Sequence, residues 1–211
     1  MGKKLHINPI AEAIQEFLIH DSWEYRFDEK WNVFQFTVRL SGKIKFVNYN
    51  VRVTDDEYIV DVACSIGLDE DDTDIKLKMA EFICRVNYGL KTGRFEYNCD
   101  DGWISYVVHT CCQDIVPSAA MIRRSIYYPA VMFERYCDGI LAMLFTDTSP
   151  KEAVEKCEQE NGFDIQALFE AGLECDGQSD ETEAESCDSD SAAVDSEIRT
   201  EIFGKKEEAD E

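Results

Sequence analysis

The chain is poor in the residues from which most active sites are assembled. It has only three histidines, His6, His20 and His109. None accompanies a GxSxG elbow, a GxGxxG turn or a P-loop, because no such motif occurs. No CxxC pair appears among the nine cysteines, and no stretch of about 18 uninterrupted apolar residues could span a bilayer. The start, Met1-Gly2-Lys3-Lys4-Leu5-His6, turns polar at once and lacks the apolar segment of a secretory signal. These absences predict a cytoplasmic protein without membrane spans or cofactors.

Basic residues are scarce as well: 21 Lys and Arg face 44 Asp and Glu, for a net charge of −23. Residues 1–150 account for −7 and residues 151–211 for −16. Such a balance argues against binding nucleic acid or anionic membrane through a broad surface field. An odd number of irregularly spaced cysteines predicts no disulfide framework. Cys64 and Cys84 read as small apolar packers, and Cys187 as a solvated thiol.

What the chain does have is apolar mass: 45% hydrophobic and 11% aromatic residues, enough for one domain with a proper core. Its organising stretch is Asp72 to Cys112. Ile75, Leu77, Met79, Phe82, Ile83, Val86 and Leu90 recur mostly at steps of three and four. They predict an amphipathic helix capped by Asp72 or Thr73 and ending near Gly89 or Gly93. Arg94–Cys99 and Trp103–Thr110 alternate around Asp100-Asp101-Gly102, a hairpin signal.

Upstream, Asn8-Pro9 followed by Ile10, Ala13, Ile14, Phe17 and Leu18 predicts a helix ending near His20-Asp21, with Asn8 as cap and Pro9 in the first turn. Trp23, Tyr25 and Phe27 precede a turn at Asp28-Glu29-Lys30. Three further β-runs follow: Val33–Leu40, Lys43–Val53 and Tyr58–Ile66. The shifted parity between Ile44 and Val47 predicts a bulge in the second of these. Downstream, Pro117-Ser118 opens a helical stretch to about Thr146 that Pro129 is expected to kink or split. A short helix over Ala153–Cys157 and a weaker one around Ile165, Leu168 and Phe169 complete the domain.

From Leu173 on, acidic and small residues dominate, and disorder is expected. Ile198, Ile202 and Phe203 form an apolar island in an otherwise solvating tail. The expected division is an α+β domain over residues 1–170 and an acidic tail over 171–211.

The segment Ala80-Glu-Phe-Ile-Cys-Arg-Val-Asn87-Tyr-Gly-Leu-Lys-Thr-Gly93-Arg-Phe95-Glu-Tyr-Asn-Cys-Asp-Asp-Gly102 resembles the core of the YbjN-type family of bacterial sensory-transduction regulators. There an Asn-bearing helix end runs into a Gly-[Arg/Lys]-Phe strand and an acidic-Gly turn. Ile126-Tyr-Tyr-Pro-Ala-Val-Met-Phe133 is similar to the last helix of that family. The likeness covers roughly residues 8–146 and includes no catalytic motif. It implies the fold of type III secretion chaperones, a twisted antiparallel sheet of about five to six strands with helices on one face. Those chaperones are commonly dimers that hold extended segments of other proteins. The acidic tail is not part of the family pattern.

Two constellations invite chemistry. His109 and Cys111 stand two apart on one strand and so share a face, within reach of one metal, but no second ligand pair accompanies them. Glu70, Asp72, Asp74 and Glu81 fall on positions 1, 3, 5 and 12 of a calcium loop. Ile75 occupies the position that needs glycine, and Lys76 and Lys78 sit at ligand positions, so a solvated acidic helix start is the better reading. As thiol nucleophiles, Cys111 and Cys137 would each need a cation nearby, such as Arg123 or Arg135.

The aromatic strand residues outnumber what one covered sheet face needs. Trp31, Phe34, Phe36, Tyr49, Tyr97, Trp103 and Tyr106 are therefore candidates for a partner-binding face or edge. Ordinary two-sided packing is the competing reading. The expected function is a non-enzymatic protein-binding module, chaperone-like or regulatory and homodimeric. The alternative is a small thiol- or metal-dependent enzyme using His109 and Cys111.

Overall fold

A computed structural model describes residues 8–64, 66 and 72–160. The predicted boundary near residue 170, the helix around Ile165 and the tail lie outside them. So does Glu70 of the calcium-loop reading.

Helix α1 (Pro9–His20) starts where Asn8 Oδ1 accepts from the N–H groups of Ile10 and Ala11. That bond satisfies donors the first helical turn leaves orphaned. Strands β1 (Arg26–Asp28), β2 (Val33–Arg39), β3 (Phe46–Val53) and β4 (Glu57–Cys64) follow as an antiparallel meander. Helix α2 (Thr73–Gly89) is capped by Asp72, whose carboxylate accepts from Ile75 N–H at 3.0 Å. The calcium-loop reading fails on this point, because Asp74 and Glu81 are helical and Asp72 is spent on the cap. Strands β5 (Arg94–Tyr97) and β6 (Ile104–Cys111), helix α3 (Ala119–Phe145) and helix α4 (Pro150–Glu160) complete the order.

The six strands form one open antiparallel sheet in the order β1-β2-β3-β4-β6-β5. β6 leaves its hairpin partner β5 at the edge and pairs with β4 on its other side. The fold is α+β, with the helices gathered on one face. The period-2 alternation sends Phe34, Phe36, Val38, Tyr49, Val51, Tyr58, Val60, Tyr106 and Val108 toward that helical layer, where all are buried.

The predicted bulge is absent. β3 keeps continuous register with β2 from Phe46 to Arg52 and with β4 from Val47 to Val53. Ile44 is buried from the connection before the strand, and the parity shift falls at that loop–strand junction. Cys84 also differs from expectation: it is exposed on α2, whereas Cys64 is buried.

Pro129 does not split α3, which runs unbroken from Ala119 to Phe145. Proline gives the helix no N–H at that turn. The sheet is tied to the same stretch by side chains: Tyr49 Oη donates to the Ile126 carbonyl at 2.9 Å, and Tyr58 Oη bonds Ser125 Oγ at 2.9 Å. At Gly139 a Cβ would lie 2.5 Å from the Phe82 ring and 2.9 Å from Cys157 Sγ. The missing side chain is what lets α2 and α4 close on α3.

Candidate functional site

The candidate site is the sheet face that carries none of the described helices. One cross-strand row runs through all six strands: Arg26, Gln35, Asn50, Asp61, Val107, Arg94. Beside it lie Thr37, Asn48, Ala63, Ser105 and Glu96 on one side and Asp28, Val33, Arg52, Ile59 and His109 on the other. Side-chain amides and hydroxyls bond across strands: Gln35 Nε2 to Asn50 Oδ1 at 3.0 Å and Thr37 Oγ1 to Asn48 Oδ1 at 2.9 Å. Arg94 pairs with Glu96 at 2.5 Å. Positive and negative groups are interspersed, so this face has no single-sign field.

Asp61 stands near the centre. Its Oδ1 is sealed from solvent and has no hydrogen-bond partner, and burial holds its carboxyl above the usual range, with Ser105 opposing the shift.

At one end of the same face are Phe46 and Trp103, both about half exposed. Trp103 is among the residues proposed from sequence. Phe46 is not, because the parity shift at Ile44 disguised its side of the strand.

The other proposed aromatics divide by face. Phe34, Phe36, Tyr49 and Tyr106 are buried beneath the helices. Phe36 stacks on Tyr49 with ring centres 4.7 Å apart, and Tyr106 meets Phe95 edge-on at 4.8 Å. Burial raises the Tyr49 and Tyr106 phenols well above their ordinary range. Trp31 is exposed in the β1–β2 turn, with Lys30 Nζ 4.9 Å from its ring centre. Tyr97 is partly buried against the core. The expected surplus of outward aromatics reduces to Trp31, Trp103 and Phe46, since helices α1 and α3 bring aromatics of their own to the covered side and take up the rest. Trp23 packs between Phe36 and Tyr127 in this way.

The two sheet edges are unlike. At β5, Asn87 Nδ2 donates to the Phe95 carbonyl at 2.8 Å, and Phe95 N–H donates to Asn87 Oδ1 at 2.8 Å. The Asn87 amide thus pairs with the strand as a neighbouring backbone would, and closes that edge at Phe95. β1, three residues long, is the opposite edge.

His109 and Cys111 do share the helix-free face, as their spacing requires. His109 Nε2 is 2.5 Å from Glu57 Oε2, and Glu57 lies directly opposite Cys111 in the β4–β6 register. Among the described residues no hydrogen bond joins His109 to Cys111, and no group of three or more His, Cys, Asp and Glu is placed to hold a metal. Cys137 is buried on α3, where its Sγ accepts from Ile44 N–H at 3.2 Å and burial pushes its thiol up, away from reactivity.

A cavity of about 650 Å³ beside Cys137 is lined by Ser41, Gly42, Lys43, Glu134 and Asp138 among others. Its polar groups bond one another. Glu134 Oε1 accepts from Ser41 N, Ser41 Oγ and Gly42 N at 2.6–3.0 Å, and Lys43 pairs with Asp138 at 2.8 Å. No described helix is long and apolar enough to cross a membrane.

No family model matches the chain, and no curated protein or solved structure does either.

Proposed function

We propose that this protein is a non-enzymatic polypeptide-binding module, chaperone-like or regulatory, that works as a cytoplasmic homodimer. The observation that carries the reading is the one-sided sheet. Among the described residues, a six-stranded layer has its helices on one face and offers the other as a broad surface of amides, interspersed charges and two half-exposed aromatics. Polypeptide recognition uses such surfaces, with aromatic anchors and polar groups that pair with backbone amides. The YbjN-type resemblance points the same way, and the Asn87–Phe95 pairing gives a physical role to two residues that carry it.

Size-exclusion chromatography with light scattering tests the dimer. The expected mass is twice the 24.2 kDa of one chain. A monomer at every concentration overturns the homodimer. Binding to an array of extended peptides tests the rest: a Phe46→Ser/Trp103→Ser chain is expected to lose most of the signal, and unchanged binding counts against this face.

A second reading, a small thiol- or metal-dependent enzyme using His109 and Cys111, draws on the Glu57–His109 hydrogen bond. A carboxylate that orients an imidazole near a thiol is the arrangement of a thiol nucleophile. Elemental analysis and iodoacetamide labelling near neutral pH separate the two readings. A stoichiometric metal, or a Cys111 thiol that reacts far faster than Cys99, favours the enzyme.

A further inference from the structure

Strand β6 is longer than its hairpin partner. β5 faces it only over residues 104–107, whereas β4 faces it over residues 105–111. Gly93 ends β5 on that side, its φ of 65° turning the chain off the ladder. Thr92 is then held by side chains: its carbonyl accepts from Tyr106 Oη, and its Oγ1 accepts from Arg124 at 3.3 Å. The backbone parity of β6 is fixed at both ends. Asn98 N–H donates to the Trp103 carbonyl, so Trp103, Ser105 and Val107 aim their backbone groups at β5. Cys112 N–H donates to the Asp56 carbonyl, so the even-numbered residues aim theirs at β4. His109 and Cys111 therefore aim N–H and C=O groups past the start of β5, and among the described residues no strand lies there.

This half-edge is complementary to itself. A two-fold axis beside Thr110, normal to the sheet, sets His109 of each copy opposite Cys111 of the other. Both are hydrogen-bonded pairs, so every open N–H and C=O of the four residues finds a partner. Opposed residues of antiparallel strands point to one face, so two imidazoles and two thiols meet on the helix-free side. Their Cα atoms mark a rectangle of about 5.5 by 7 Å. Two Cys and two His make a closed tetrahedral zinc set, of which one chain holds half. The imidazole is already oriented for this task. Glu57 Oε2 lies 2.5 Å from His109 Nε2, which leaves Nδ1 for a metal. A carboxylate on the far nitrogen of a ligating histidine fixes its tautomer and raises its basicity. The His109 side chain is 47% exposed and Cys111 is exposed, so both are within reach of a second copy.

We propose that two copies join edge to edge through residues 109–111 of β6 and hold one Zn²⁺ between them, on His109 and Cys111 of each. The proposal rests on the homodimer reading and adds to it the contact and the ion. Zinc binding releases the two thiol protons to solvent. Four protein ligands leave no open coordination position, so the ion is structural and makes or breaks no substrate bond. The two sheets become one, and both helix-free faces lie on the same side of it, open to other polypeptides. The metal count separates this site from the enzyme reading: one zinc per two chains here, one per chain there.

The full chain, stripped with EDTA and reloaded with zinc chloride, is read by light scattering and by elemental analysis after gel filtration. One zinc per two chains is expected, with twice the 24.2 kDa mass in zinc and a shift toward monomer in EDTA. Glu57→Ala keeps both ligands and is expected to weaken zinc binding about tenfold or more. His109→Ala and Cys111→Ser should weaken it further, whereas Cys99→Ser, at an exposed thiol elsewhere, should leave it unchanged. Cobalt in place of zinc should give a tetrahedral spectrum with thiolate charge-transfer bands that the Cys111→Ser chain lacks. The register is tested without metal. A Thr110→Cys chain, mildly oxidised in EDTA at high protein concentration, is expected to join two chains through residue 110, a non-hydrogen-bonded pair about 4.5 Å apart at Cα. A dimer that binds no zinc, ignores Cys111→Ser and does not cross-link at residue 110 overturns the proposal and leaves the homodimer reading standing. One zinc per chain, held by a monomer, overturns it in favour of the enzyme reading. A monomer in zinc and in EDTA alike overturns both the proposal and the homodimer.

Discussion

Asp61 shows how much one residue can reveal about a surface. Its carboxyl is held above the usual range chiefly by burial, on a face where Oδ1 has no partner. A folded-state value above the unfolded one means that the native protein binds the proton more tightly, so stability falls as pH rises from the ordinary aspartate value toward the folded-state value. An Asp61→Asn chain should therefore melt higher than the natural one at pH 7, and the two curves should converge below about pH 4. Thermal scans from pH 3.5 to 7.5 check the sign. Asn87 is the counterpart on the sheet edge, where its amide makes two hydrogen bonds to the Phe95 backbone. Asn87→Ala leaves both Phe95 groups without that partner, and a loss of about 1–3 kcal/mol is expected in urea denaturation. Neither role is legible in the sequence, which places Asn87 near a helix end; only the packing of α2 beside β5 brings its amide to the strand.

Among the elements, α3 is the most instructive. It runs unbroken through Pro129, and Tyr49 and Tyr58 reach from the sheet to the turn just before that proline. Tyr49→Phe removes the donor to the buried Ile126 carbonyl while keeping the ring. The expected cost is about 1–3 kcal/mol in denaturant unfolding, with the far-ultraviolet spectrum unchanged. Gly139→Ala tests the other end of the helix. The added methyl meets the Phe82 ring and Cys157 Sγ at less than contact distance, so overpacking of about 1–3 kcal/mol is expected and should appear as a lower melting temperature. Helix starts and the hairpin are legible in the sequence because their causes are local: the Asn8, Asp72 and Ser118 caps and the Asp101-Gly102 turn all act within a few residues. Gly102 takes a positive φ of 72° there, as a glycine readily does. The expected β3 bulge is absent because the parity shift falls at the junction before the strand, and the split that Pro129 could have caused does not occur, since α3 runs from Ala119 to Phe145.

For the molecule as a whole, the distribution of charge decides how copies and partners can meet. The described domain is mildly acidic, residues 161–211 hold 17 Asp and Glu against three Lys and Arg, and the helix-free sheet face mixes both signs. Two copies that associate through a surface of mixed sign avoid the repulsion their net charges impose at longer range. If the homodimer forms this way, its mass by light scattering should hold in low salt, and Arg52→Glu/Arg94→Glu should shift it toward monomer. A dimer indifferent to that substitution would lie elsewhere on the molecule.

The sequence by itself determined the α+β class, the order and approximate limits of the elements, the acidic bias of the C-terminal part and the period-2 aromatic strands. All of these follow from neighbours within a turn or a strand pair. Only the tertiary structure decided which side of each strand the helices cover. That choice buried Phe34, Phe36, Tyr49 and Tyr106 and left Phe46 and Trp103 at the surface. It also set Glu57 against His109, 52 residues away along the chain, and closed the β5 edge with Asn87. Alternation divides a strand into two faces without naming the inner one; that is settled by packing between segments far apart in sequence.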